Sequence, residues 1–473
     1  MQLTDQELCM LEQLTYLNTD VVKAAGIDGD QFRGGIHEDY EGMTVGEILN
    51  CFQPYADTKG NIVKPLKILQ DSGIRTLGSS LASAVEWANI IQYLMDNERI
   101  SGLLLNETMK SSAGIILALC FGETEEALDA IVAFKGTSGA AEWVDNVEGL
   151  NEVETESQKE ALDFIASLRY PNITVTGHSK GGNKAMYVAL RSDQVTRCVS
   201  FDAQGFSSYF LQEYGTEIQR KGSCITCYAL STDYVHALLF PIPNAKQIYC
   251  LGYDDGGAVK EWKQHHCPNS FFVTDEKGKL IIDAEGNPTF QVTSEAPSIR
   301  MLHKFTVFVM EHAEGRDLNT IVSYLSKAIS MNFSGSSSDE LIGYLLSKEH
   351  TDVLALVIAY LVKYMDTDHL GTEDIDKLLE CLGLNCLNQM IKIKDFSLFG
   401  SEYSAYVNLA HIISYIQFQL VNGSDRSSEL SADFFELIQN IFAKDIKVDV
   451  KALWMKVYEA IPKISSKSGI QNT

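Results

Sequence analysis

Apolar positions change their period several times along the first 300 residues, and each change marks an element. Residues 3 to 18 place Leu8, Leu11, Leu14 and Tyr16 on one face of an amphipathic helix. The stretch SLASAVEWANIIQYLMDNE, residues 80 to 98, repeats that spacing between Ser/Asn-type start chemistry and a charged exit. Short apolar runs then predict strands at Gly114 to Cys120, Ala130 to Phe134, Ile173 to Thr176, Thr196 to Phe201, Cys224 to Leu230 and Gln247 to Leu251. Helical patterns at Glu156 to Leu168 and Gly182 to Leu190 lie between them. Strands alternating with helices in this way predict parallel βαβ units, and so an α/β architecture with a mostly parallel sheet covered on both faces.

Around residues 270 to 293 the pattern shortens to FFVTDEKGKLIIDAEGNPTFQV, read as a hairpin or small meander with two Gly-containing turns. Its acidic turn residues lack the spaced ligand series of an EF-hand loop. Beyond residue 296 amphipathic helical patterns continue to the end, interrupted by NFSGSSSDE and NGSDRSSELS. A chain of 473 residues exceeds what one core usually holds. Two domains are therefore expected, residues 1–295 as the α/β domain and residues 296–473 as an all-helical module. His303, His312, His350, His369 and His411 are scattered over that module and read as surface or locally satisfied residues.

Composition narrows the possible partners. A formal net charge of −25 opposes phosphate backbones and anionic membrane surfaces at long range, so nucleic acid is not an expected partner. The longest apolar runs, such as Val353 to Val362, fall short of the ~20 residues of a spanning helix. The start of the chain, MQLTDQELCMLEQLTYLN, has no basic region followed by an apolar core, so no secretory signal is expected. Ten scattered cysteines suit a reducing cytoplasm. The close pair Cys224 and Cys227 has no second pair to complete a zinc site and reads as strand residues.

The segment ITVTGHSKGGNKAMYVAL carries the chemistry. Gly177-His178-Ser179-Lys180-Gly181 fits G-x-S-x-G between a predicted strand and a predicted helix, the context in which a strained turn lifts a serine hydroxyl to the carboxyl edge of a sheet. The helix start favours negative charge developing there, and the Lys180 amide would face an oxyanion. His178, adjacent to the serine, is assigned a structural role. Upstream, Gly136-Thr137 follows a buried strand, where the Thr137 amide could supply a second oxyanion donor. Downstream, Asp233 follows the strand ending at Leu230, and WKQHHCPNSFF supplies His265 and His266. The succession Ser, Asp, His matches the order of α/β-hydrolase triads. Asp202, which also ends a strand, rivals Asp233 for the acid; Asp233 is preferred.

FKGT with EWVDN, then TVTGHSKGGNKA, then STDYVHALLFPIP, resembles the core of the class 3 lipase group and, within it, the bacterial Mbeg1-like branch of α/β-hydrolases. The resemblance spans about residues 1 to 295, including LTYLN near the start. It implies Ser179 as nucleophile and Thr137 and Lys180 as oxyanion-hole residues. It selects His266 over His265, because HCPNSF is similar to the branch's histidine segment. For the acid it implies Asp233 by likeness to the lipases, whereas the branch often carries an aspartate like Asp202. The implied activity is a serine hydrolase acting on a carboxylic ester, a small molecule or a lipid, with no metal or organic cofactor. A thioesterase or peptidase would use the same residues, and an inactive hydrolase-fold scaffold is the reading outside the enzymes. The helical module, outside the resemblance, is the candidate surface for a protein partner.

Overall fold

The computed structural model describes residues 2–28, 35–75, 77, 82–112, 114–136, 152–252, 265–276, 278–313, 315–333, 336–345, 347–368, 391–398, 401–407, 450–461 and 464. The chain divides into two compact units, Met1–Ala296 and Pro297–Thr473.

The first unit is built on an eight-stranded sheet: β1 (Leu104–Lys110), β2 (Ile116–Gly122), β3 (Asp129–Phe134), β4 (Asn172–His178), β5 (Val195–Phe201), β6 (Ile225–Leu230), β7 (Lys246–Cys250) and β8 (Val292–Thr293). The strands lie side by side in chain order. The pairs from β3 to β7 are parallel, and β1, β2 and β8 join antiparallel at the edges. This is the mostly parallel α/β sheet expected from the sequence, with one strand added at each edge, β8 coming from the stretch read as a meander. The predicted set omitted β1, whose residues LLNETMK are mostly half-buried and whose pairing with β2 shifts register twice. Such a strand shows no clean alternation.

Strand order explains how the two faces are covered. Crossovers of one hand between strands taken in sequence place all their helices on the same face. Helices α3 (Glu156–Ser167) and α4 (Lys180–Arg191) pack there against Ala118, Cys120, Val132, Phe134, Val175 and Cys198. The opposite face is covered mainly by the N-terminal hundred residues, with Phe271 and Phe272 from beyond β7 joining the same core. Helices α1 (Asp5–Glu12) and α2 (Ala84–Asp96) bury it against Leu119, Phe121, Ile131, Ala133, Val199 and Phe201. Neighbouring strand residues thus enter alternate cores, as the two-residue period of a strand requires. Both helices start with capping boxes, Thr4 with Glu7 and Ser83 with Glu86. The predicted face of residues 3 to 18 is buried throughout, although its last turn, Gln13–Tyr16, tightens to a 3₁₀ helix.

The segment after residue 265 returns along β7 as a small meander, with bridges Phe272 to Phe290, Thr274 to Leu280 and Ile282 to Pro288. Its acidic turns are closed by their own aspartates: Asp275 accepts the Lys279 amide, and Asp283 accepts those of Glu285, an Asx turn, and Asn287.

The second unit contains α5 (Pro297–His312), α6 (Arg316–Phe333), α7 (Ser338–Leu345), α8 (Thr351–Asp368) and α9 (Val450–Ala460). The apolar run from Val353 lies in α8, which packs against α5, α6 and α9. Among the described residues no helix is long and apolar enough to cross a membrane. The all-helical expectation is corrected here. Residues Ile391–Leu398 and Ser401–Val407 form an antiparallel strand pair. IKIKDFSL alternates apolar and polar at the strand period, a local signal hidden among helical neighbours. His312 bonds the Phe308 carbonyl and His350 faces Ser347, local partners of the expected kind; His369 and His411 lie outside the described residues.

Candidate active site

Ser179 occupies the junction between β4 and α4 with φ 56° and ψ −127°, a backbone conformation that L-residues avoid. Flanking glycines make the junction possible. A Cβ at Gly177 would lie 2.5 Å from the carbonyl carbon of Gly181, and one at Gly181 would lie 2.2 Å from the Phe134 carbonyl oxygen. Strand and helix are therefore closer than any side chain permits. The Ser179 amide donates to the Phe201 carbonyl at 2.8 Å, tying the turn to β5. Asn183, one turn into α4, accepts from Gln158 on α3 and donates to the carbonyls of Gln204 and Gly205, so the helix is pinned from both sides.

Three of the residues singled out in the sequence meet at this edge. The His266 Nε2 lies 2.9 Å from the Ser179 Oγ, and its Nδ1 lies 2.8 Å from the Asp233 Oδ1. His265 turns elsewhere, its Nδ1 2.7 Å from the Thr232 hydroxyl. Burial alone would push the Asp233 carboxyl up, but the charge of His266 and the hydrogen bonds from His236 and His266 outweigh it and hold Asp233 well below the usual carboxylate range.

Asp202 is placed differently. It sits in the left-handed region at φ 46°, fully buried, with Oδ1 accepting the Leu230 amide at 2.7 Å. Desolvation, reinforced by the charge of Asp233, pushes its pKa well up. Glu12 on α1 is likewise raised by burial.

Lys180 is the first residue of α4, which sets its amide at the positive end of that helix; its side chain is buried. Thr137 lies outside the described residues. The preceding Gly136 is described, and it reveals a residue whose role the sequence reading missed. The Tyr16 hydroxyl accepts the Gly136 amide at 3.0 Å and lies 3.0 Å from the Nδ1 of His178. Burial, and next the charge of His266, hold the His178 pKa well down, so a neutral ring packs 4.6 Å from the His266 ring, centroid to centroid. Tyr16 thus fixes both the end of β3 and the ring beneath His266. Tyr16→Phe is expected to cost about 1–3 kcal/mol of stability, since it strands buried groups without their partner. Thermal unfolding of the variant beside wild type checks it.

The fold and site define an α/β protein with a serine presented at a strand-to-helix turn and an imidazole and carboxylate aligned behind it. Residues 116–228, from β2 through most of β6, match the family model described as Mbeg1-like. That family is lipase-like, which supports a hydrolase for this part of the chain. No curated protein matches the chain.

Proposed function

We propose that this protein is a serine hydrolase of carboxylic esters, working through an acyl-enzyme on Ser179. The reading is carried by the unbroken line of contacts from the Ser179 Oγ through both nitrogens of His266 to Asp233. His266 Nε2 takes the hydroxyl proton as Ser179 attacks the ester carbonyl. Asp233 accepts from Nδ1, keeping the other nitrogen a base and steadying the imidazolium. The amide of Lys180, with that of Thr137, stabilises the tetrahedral oxyanion. His266 then returns the proton to the leaving alcohol, and water repeats the sequence to release the acid. A lipid or acylglycerol substrate follows from the lipase-like resemblance. A cytoplasmic setting belongs to the same proposal, on the scatter of the cysteines.

The assignment of the acid separates two variants. Asp233→Asn is expected to lose about 10³- to 10⁴-fold in kcat on a short-chain aryl ester, because the amide no longer selects the productive tautomer. Asp202→Asn should retain most of the activity, since an amide is nearly isosteric with the carboxyl and its oxygen still accepts the Leu230 amide. Loss confined to Asp202→Asn, with both proteins folded, contradicts the assignment.

A further inference from the structure

The Asp233 carboxylate does not end the line of contacts. Its second oxygen, Oδ2, accepts the His236 amide at 2.7 Å and lies 3.1 Å from the His236 Nδ1. The other ring nitrogen of His236, Nε2, lies 3.2 Å from the Glu295 Oε1. All three side chains are almost wholly withdrawn from solvent, at 0%, 9% and 8% exposure for Asp233, His236 and Glu295. Glu295 is fixed there by its neighbour, because the Ala296 amide donates to the Ser231 carbonyl at 2.9 Å, two residues before Asp233.

A neutral imidazole has one N–H, whereas each nitrogen of His236 faces a carboxylate oxygen. Both contacts are hydrogen bonds only when the ring is doubly protonated. We infer that His236 is a positioning residue, an imidazolium held between Asp233 and Glu295, which fixes the Asp233 carboxylate so that its free oxygen meets His266 squarely. The inference rests on the serine hydrolase reading above. Among the described residues, the other titratable groups facing His236 are Asp202, whose pKa burial pushes up, and the Tyr249 ring at 5.6 Å. Burial works against the cation, but the hydrogen bonds to Asp233 and Glu295 outweigh it and push the His236 pKa up to about 9. A raised histidine pKa adds stability below its unfolded value of ~6.5, lost as pH rises through the folded value. Above about pH 9 the Nε2 lone pair of His236 opposes Glu295 and the cation behind Asp233 is gone.

The test uses the full chain and a fluorophosphonate, with the rate of Ser179 phosphonylation followed against pH. Wild type should show a rate that falls above about pH 9. Glu295→Gln, which keeps the shape and removes the charge, should move that fall at least one pH unit lower. His236→Asn should abolish it and slow phosphonylation at neutral pH at least tenfold. Histidine ¹³Cε1 resonances, with His236 assigned from His236→Asn, should show the same lowered titration in Glu295→Gln. Superimposable pH profiles, or a His236 resonance that titrates below neutrality in wild type, overturn the inference while leaving the triad standing. A folded wild type that takes no phosphonate at any pH overturns the hydrolase reading, and the positioning role with it; the resonances still report the charge of His236.

Discussion

Ser179→Ala is expected to lower ester turnover by on the order of 10⁴-fold or more, while the protein folds as before. The asymmetry follows from what the serine does in the fold. Its side chain makes no capping hydrogen bond to α4, although it stands at the N-cap position. Its backbone is held in a conformation that costs roughly 1–3 kcal/mol for a residue with a Cβ. Alanine keeps that strain and removes only the nucleophile. Glycine relieves it, so Ser179→Gly should be inactive yet more stable than wild type by about 1 kcal/mol. Thermal unfolding of the three proteins, beside their turnover, checks whether the fold gives up stability to present this hydroxyl.

The second large effect is on folding. Gly181→Ala places a methyl group 2.2 Å from the Phe134 carbonyl oxygen, backbone of the adjacent strand, which cannot rotate away. Helix α4 would have to lift from β3, disturbing at once the Ser179 turn and the Asn183 contacts. The expected cost is at least about 3 kcal/mol, at the severe end for an added methylene in a packed core. Gly215→Ala serves as the comparison, since a Cβ there meets nothing within 4 Å. It should be neutral or slightly stabilising. Soluble yield and thermal midpoint distinguish the two variants.

These glycines also indicate what the sequence could reveal. A G-x-S-x-G run between a β-branched strand and a helix has a local steric cause, so the turn could be read from five residues. Ser179, Asp233 and His266 follow a chain order that reflects the strand order, and each of the first two stands just after a strand whose apolar run is plain. The choice between His265 and His266 came from resemblance, because adjacent histidines carry no local mark of which one turns inward. Tyr16 had a recognisable place on a buried face, but its hydroxyl's partners, Gly136 and His178, come together only when α1 covers the sheet. Glu295 and His236 were illegible for the same reason, since a contact closed by tertiary packing leaves no periodicity. The distinction between Asp202 and Asp233 is tertiary: both follow strands, and only in the folded chain does the Asp233 Oδ1 meet the Nδ1 of His266 while the Asp202 Oδ1 accepts the Leu230 amide.

Activation of the Ser179 hydroxyl by His266 can be measured by covalent capture. The folded wild-type chain is incubated with a fluorophosphonate, then analysed by intact mass and by peptide mapping. A single adduct is expected on the peptide that carries Ser179, absent in Ser179→Ala and formed far more slowly in His266→Ala. A folded wild type that gains no mass, an adduct on a different residue, or labelling that is indifferent to His266 would contradict it.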